Sequence, residues 1–129
     1  MPVTYSIRSN LLRIVAAGEY EWGEVPRAFL AALNDPACPD PVALLLDVRE
    51  SSSIAKRSMD EIRAAGEFLG PYAARIGGKC AVLAGTELQF GLGRMGSVYS
   101  EGVGVKAGIF RDDRSALEWL GVKDGAPPG

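Results

Sequence analysis

Apolar positions change their spacing along this chain, and each change marks an element. Val3 to Arg8 and Leu11 to Ala17 are two apolar-rich runs joined by the polar pair Ser9-Asn10. Short runs linked in this way predict a β-hairpin. From Trp22 the spacing lengthens: Trp22, Val25, Pro26, Phe29, Leu30 and Leu33 fall on one face of an α-helix. Glu19, Glu21 and Glu24 lie at its start, where the positive end of the helix dipole favours anions. Pro26 is tolerable there because it lies within the first turn or so. Asn34-Asp35-Pro36 should stop the helix.

The run "VALLLDV", Val42 to Val48, is continuously apolar and predicts a strand buried on both faces. A polar loop, Arg49 to Ser58, leads to a second helical stripe: Met59, Ile62, Gly66, Leu69, Tyr72, Ala73 and Ile76. Gly70-Pro71 should kink or divide that helix. Lys79 to Ala84 is another short buried strand, followed by a glycine-containing helix from about Leu88 to Ser100 and a strand in "VKAGIF". The segment "DDRSALEWL" closes the pattern as a helix, with Asp112 or Asp113 as its cap and Ala116, Leu117, Trp119 and Leu120 available for packing. The order β-β-α-β-α-β-α-β-α predicts an α/β fold, a mixed and mostly parallel sheet with an N-terminal antiparallel hairpin.

Composition narrows the function classes. A chain of 129 residues with 47% hydrophobic residues suits one compact domain, expected over residues 1–122 with a Gly/Pro-rich flexible tail at 123–129. The net charge of −2 and the lack of a basic stripe argue against nucleic acid, which needs clustered Lys and Arg. There is no His, so neither a Ser-His-Asp nor a Cys-His site can be built within the chain, and a zinc site would need unusual ligands. No cofactor or metal is implied. Two cysteines make no disulfide framework: Cys80 reads as a buried core residue and Cys38 as a loop residue. No signal pattern opens the sequence and no run has the ~18 apolar residues of a membrane span, so a cytoplasmic protein is expected.

Four segments, "AAGEYEWGEV", "ALNDPACPDPVALLLDVRES", "FGLGRMGSVYSEG" and "IFRDDRSALEWL", span most of the chain. In this order the sequence resembles the STAS-like domains, the fold of bacterial anti-sigma-factor antagonists, and small bacterial proteins of that superfamily. The resemblance implies a mixed sheet flanked by helices, and a binding or regulatory role more than catalysis. Those antagonists carry a phosphorylatable Ser in an Asp-Ser-Ser-Gly-like segment beyond the buried strand. Ser58, in "KRSM", matches that serine by position, whereas basic residues and Met stand in place of the flanking Asp and Gly.

Each candidate has a structural reading beside the functional one. "SMDE" is a capping box in which Ser58 and Glu61 satisfy each other's backbone N–H groups. A phosphate on Ser58 would be favoured by the helix start and by Lys56 and Arg57, and opposed by Asp60 and Glu61. Ser51, Ser52 and Ser53 read as loop formers. Asp47 and Arg49 fall at the carboxyl end of a central strand, where open α/β sheets place ligand crevices; otherwise they are a loop cap and a solvent-exposed cation. Gly91, Gly93 and Gly96 spell G-x-G-x-x-G, but "GTELQF" separates them from the preceding strand and too few residues follow for a crossover helix. Trp22, Phe90, Met95 and Tyr99 could line a cavity for an apolar ligand, or serve as ordinary core. The adjacent acidic pairs Asp60-Glu61 and Asp112-Asp113 suit helix starts rather than a catalytic cleft. The sequence therefore points to a non-catalytic regulatory module that binds a protein or ligand through the loop from Arg49 to Ser58. The alternative is a small carrier or sensor of an apolar or nucleotide ligand. A Trp or Leu exposed on the last helix would favour a homodimer.

Overall fold

The structure, a computed structural model, describes residues 2–122; the tail expected at 123–129 lies outside them. Five strands form a single sheet in the order β1-β2-β3-β4-β5: Val3–Arg8, Leu11–Ala16, Ala43–Asp47, Lys79–Leu83 and Lys106–Phe110. β1 and β2 pair antiparallel with Arg8 opposite Leu11, so Ser9 and Asn10 alone make the turn, and Ser9 takes a positive φ of 52°. The other pairings, β2-β3, β3-β4 and β4-β5, are parallel. The expected architecture is therefore present. Among the described residues four α-helices accompany the sheet: α1 (Glu24–Leu33), α2 (Met59–Phe68), α3 (Glu87–Glu101) and α4 (Asp113–Leu120). None is long and apolar enough to cross a membrane, among the described residues.

The strand order is strictly sequential, so each parallel crossover steps the same way. Right-handed crossovers then put α1, α2 and α3 on one face of the sheet. Leu12, Ile14, Leu44 and Cys80 point into that layer and meet Phe29 and Ala32 of α1. On the opposite face Leu11, Leu45, Ala81 and Leu83 meet Ala116 and Leu117 of α4 and Val122 just beyond it. Trp119 is half-buried, its ring 5.5 Å from that of Phe110, and Leu120 is half-buried too.

Local chemistry sets the ends of these helices. Pro26 occupies the first turn of α1, and Asn34 ends it. Gly70-Pro71 stops α2, and the chain continues as two short 3-10 turns, Gly70–Tyr72 and Ala74–Ile76. Asp112 is the cap of α4, accepting from the N–H of Ser115 at 2.8 Å. The cap of α3 is Thr86, whose hydroxyl accepts from Gln89 N–H while Gln89 returns to the Thr86 N–H.

Candidate functional site

At the carboxyl ends of the strands, Asp47 caps the loop as expected, but Arg49 is not a free cation: its guanidinium forms a fork with the same carboxylate. Arg49 Nε and Nη2 donate to the two oxygens of Asp47 at 3.0 and 2.8 Å, and the Arg49 N–H adds a third bond at 3.0 Å. Burial pushes the Asp47 carboxyl up, but these hydrogen bonds and the charges of Arg49 and Arg13 outweigh it and hold the group below the usual range. Hydrogen bonding to Asp47 raises the Arg49 guanidinium in turn. Asp113, at the start of α4, completes the cluster. It lies 2.7 Å from Arg13 Nη2, off the line of a hydrogen bond, and 3.6 Å from Arg49 Nη2. Two cations and two anions alternate, which ties α4 to β2 and β3.

The serine loop is more than a connection. Ser51 and Ser53 are buried, and both bind Tyr20 from the loop before α1. Ser51 Oγ donates to the Tyr20 hydroxyl at 2.9 Å, and Ser53 Oγ accepts from the Tyr20 N–H at 2.9 Å. Gln89 of α3 reaches the same loop, donating to the Ser51 carbonyl at 3.2 Å. Ser51 forms the loop as expected, its Oγ accepting from Ile54 N–H at 3.2 Å, and Ser51 and Ser53 also bond Tyr20, some thirty residues away in sequence. Tyr20 and Gln89 were not singled out from the sequence, because nothing local marks either as a partner of the loop.

Ser58 caps α2 in the predicted box, with its hydroxyl accepting from Glu61 N–H at 3.2 Å and Glu61 accepting from Ser58 N–H at 2.9 Å. The two neighbouring cations pair with groups other than the Ser58 hydroxyl, Arg57 Nη1 lying 3.7 Å from Glu61 Oε2. Lys56 Nζ donates to Glu19 at 2.6 Å, and this pairing lowers the Glu19 carboxyl. Arg57 Nη2 donates to the Tyr20 carbonyl at 2.7 Å, and its guanidinium stands 5.1 Å from the Tyr20 ring and 5.9 Å from the Trp22 ring. Arg57 therefore clamps the start of α2 to the loop that carries Trp22.

Beneath α2 the layer is incompletely filled. This helix leans on α3, where a Cβ at Gly66 would come within 2.5 Å of the Gly96 carbonyl. It covers the sheet poorly. Leu46 and Val82, in the two central strands and facing the helices, are only half-buried, and Ala65 on α2 is exposed. An apolar space of about 80 Å³ lies on the α1 side, walled by Trp22, Pro26, Phe29 and Phe68. A second, of about 120 Å³, lies on the α3 side against Ile62, Leu92, Gly93 and Gly96. Leu46, Ala65, Leu69 and Cys80 line both. Burial pushes the Cys80 thiol up to about 12, so it stays neutral there.

Trp22 is thus beside a cavity, but not with the companions expected. Phe90, Met95 and Tyr99 line neither space. The inward face of α3 is made by Leu92, Gly93, Gly96 and Ser100, and the other three fall to its flanks. Phe90 stacks against Arg94 and Arg111 at 5.2 and 4.9 Å, and Tyr99 lies 5.7 Å from Arg63. The glycines Gly91, Gly93 and Gly96 lie inside α3 and not at the tip of β4. Gly93 gives close approach to Ile109 of β5, whose side chain a Cβ would meet at 3.0 Å.

No protein-family model matches the chain, and neither does any curated protein. Among solved structures, it is similar to an uncharacterised protein of the DUF3478 family from Shewanella loihica PV-4, described as having a SpoIIAA-like fold. The TM-score is 0.55 at 21% identity, covering 92% of this chain and 91% of that one. The likeness bears out the STAS-like fold.

Proposed function

We propose that this chain is a non-catalytic binding module and that its ligand is apolar, held between the sheet and α2. One observation supports this reading most: Leu46 and Val82 sit in the middle of a parallel sheet yet remain half-buried. Such positions are ordinarily covered on both faces. Water against that surface is unfavourable, by about 25 cal/mol for each Å² left wet, and an apolar ligand would displace it. The carrier or sensor role belongs with this reading, and so does a cytoplasmic location. Native mass spectrometry of freshly purified protein should show a bound small molecule, or binding should appear on titration with short-chain alcohols followed by Trp22 fluorescence. A clean unliganded mass together with no response to any alcohol would remove the reading.

A second reading, a protein partner docked on the loop from Arg49 to Ser58 and the start of α2, is favoured by two exposed apolar side chains. Met59 and Leu88, at the first turns of α2 and α3, are 54% and 55% exposed. Affinity capture with the Met59→Asp, Leu88→Asp double variant as control tests it. A stoichiometric protein lost with the variant supports a regulatory partner, and an unchanged capture profile removes it.

A further inference from the structure

Resting on the apolar-ligand reading, we infer that the two spaces beneath α2 are one channel whose ligand carries a single unbranched hydrocarbon chain, its polar end left in water. Leu46, Ala65, Leu69 and Cys80 line both lobes, so the lobes adjoin beneath the helix. Each lobe is small. At about 80 and 120 Å³ both are smaller than the ~150 Å³ cavity that holds a benzene ring in a dry core. Taken lengthwise they suit a thin, extended occupant. The ceiling is also fixed, because Gly66 rests against the backbone of α3 and holds α2 at its height.

Nothing inside offers a strong free donor to a polar head. The hydroxyls of Ser97 and Ser100, on the α3 wall, donate to the carbonyls of Arg94 and Ser97 at 2.6 and 3.1 Å. The Cys80 thiol is neutral and a weak donor. A polar group that needs donors would lose its water in such a lining without replacing them, so it stays at the mouth. Trp22 stands at the α1 end of the channel and Trp119 on the opposite face of the sheet.

The test uses the Trp119→Phe variant, which leaves Trp22 as the sole indole reporter, titrated with straight-chain alcohols and with branched and cyclic alcohols of equal carbon number. Affinity for the straight series should rise about fourfold per methylene and level off once the chain outgrows the channel. Branched and cyclic isomers should bind about tenfold more weakly, as overpacked shapes do against fixed walls. Ala65→Leu adds carbons where the lobes meet and should bring the levelling point to shorter chains. Equal affinity for straight and cyclic isomers would overturn the inference while leaving the apolar-ligand reading in place. An Ala65→Leu variant that folds, by its circular dichroism melt, but leaves the levelling point unmoved would also overturn it. Failure of every alcohol to bind would instead remove the reading beneath it.

Discussion

Asp47 shows how a single residue can hold two elements and carry a pH dependence. Its side chain is only 12% exposed, yet it keeps its charge because Arg49 and Arg13 supply donors and opposite charge. The fold therefore favours the ionised form relative to the unfolded chain. That contribution is complete above the unfolded value near 3.8 and fades as pH falls through the lower folded value. Asp47→Asn should cost about 2 kcal/mol at pH 7, the scale of charged hydrogen bonds, with a smaller difference at pH 3, below the unfolded value. Urea unfolding at the two pH values measures this, and an equal loss at both would show that shape matters more than charge. Ser58 offers a simpler comparison. Ser58→Ala should lower stability by about 1 kcal/mol through loss of the cap, whereas Ser58→Asp should retain it. Intact-mass analysis of protein from its native cell checks separately for a phosphorylated Ser58.

At the scale of elements, much was legible in the sequence because it depended on near neighbours. The Ser9-Asn10 turn, the Ser58 box, the Asp112 cap and the break at Gly70-Pro71 all follow from residues a few positions apart. What failed to show was distance between layers. "VALLLDV" reads as buried on both faces; Ala43 and Leu46 depart from that, Leu46 because α2 rides high above it. The height of α2 is set by its contact with α3, where Gly66 meets the Gly96 carbonyl, and no periodicity encodes such a meeting. Phe90, Met95 and Tyr99 were misplaced for a related reason: apolar spacing on α3 does not tell which face meets the sheet when glycines form that face. Two glycine substitutions separate these effects. Gly66→Ala would push a methyl into backbone and should cost about 1–3 kcal/mol, as overpacking does. Gly91→Ala has nothing within 4 Å of the new carbon and should stabilise by up to about 1 kcal/mol through helix propensity. Thermal melts of the pair should move in opposite directions; a shared direction would refute the α2–α3 contact as drawn.

For the whole molecule, the uneven packing of the layers predicts uneven stability. α1 is tied to the hairpin by the Tyr5 hydroxyl bonded to Asp35 at 2.9 Å and by Phe29 in the core, and α4 is tied by the Asp113 cluster. α2 is tied at its ends, by Arg57 and by the turns after Gly70, and along one flank by Gly66 against α3, while the side that faces the sheet spans the gap. Sub-global opening of such a segment costs less than global unfolding. Cys80 reports on it, because its 3% exposed thiol faces the gap and its raised pKa of about 12 makes it nearly unreactive while covered. In a Cys38→Ser variant, Cys80 is the single thiol left. If α2 lifts locally, labelling of Cys80 should proceed at a rate that barely changes with low concentrations of urea, since little surface is exposed by the opening. If access requires global unfolding, the rate should climb with urea along the slope of the equilibrium transition. A bound straight-chain alcohol should slow the local route by filling the space that the opening would flood, and should have its strongest effect at zero urea.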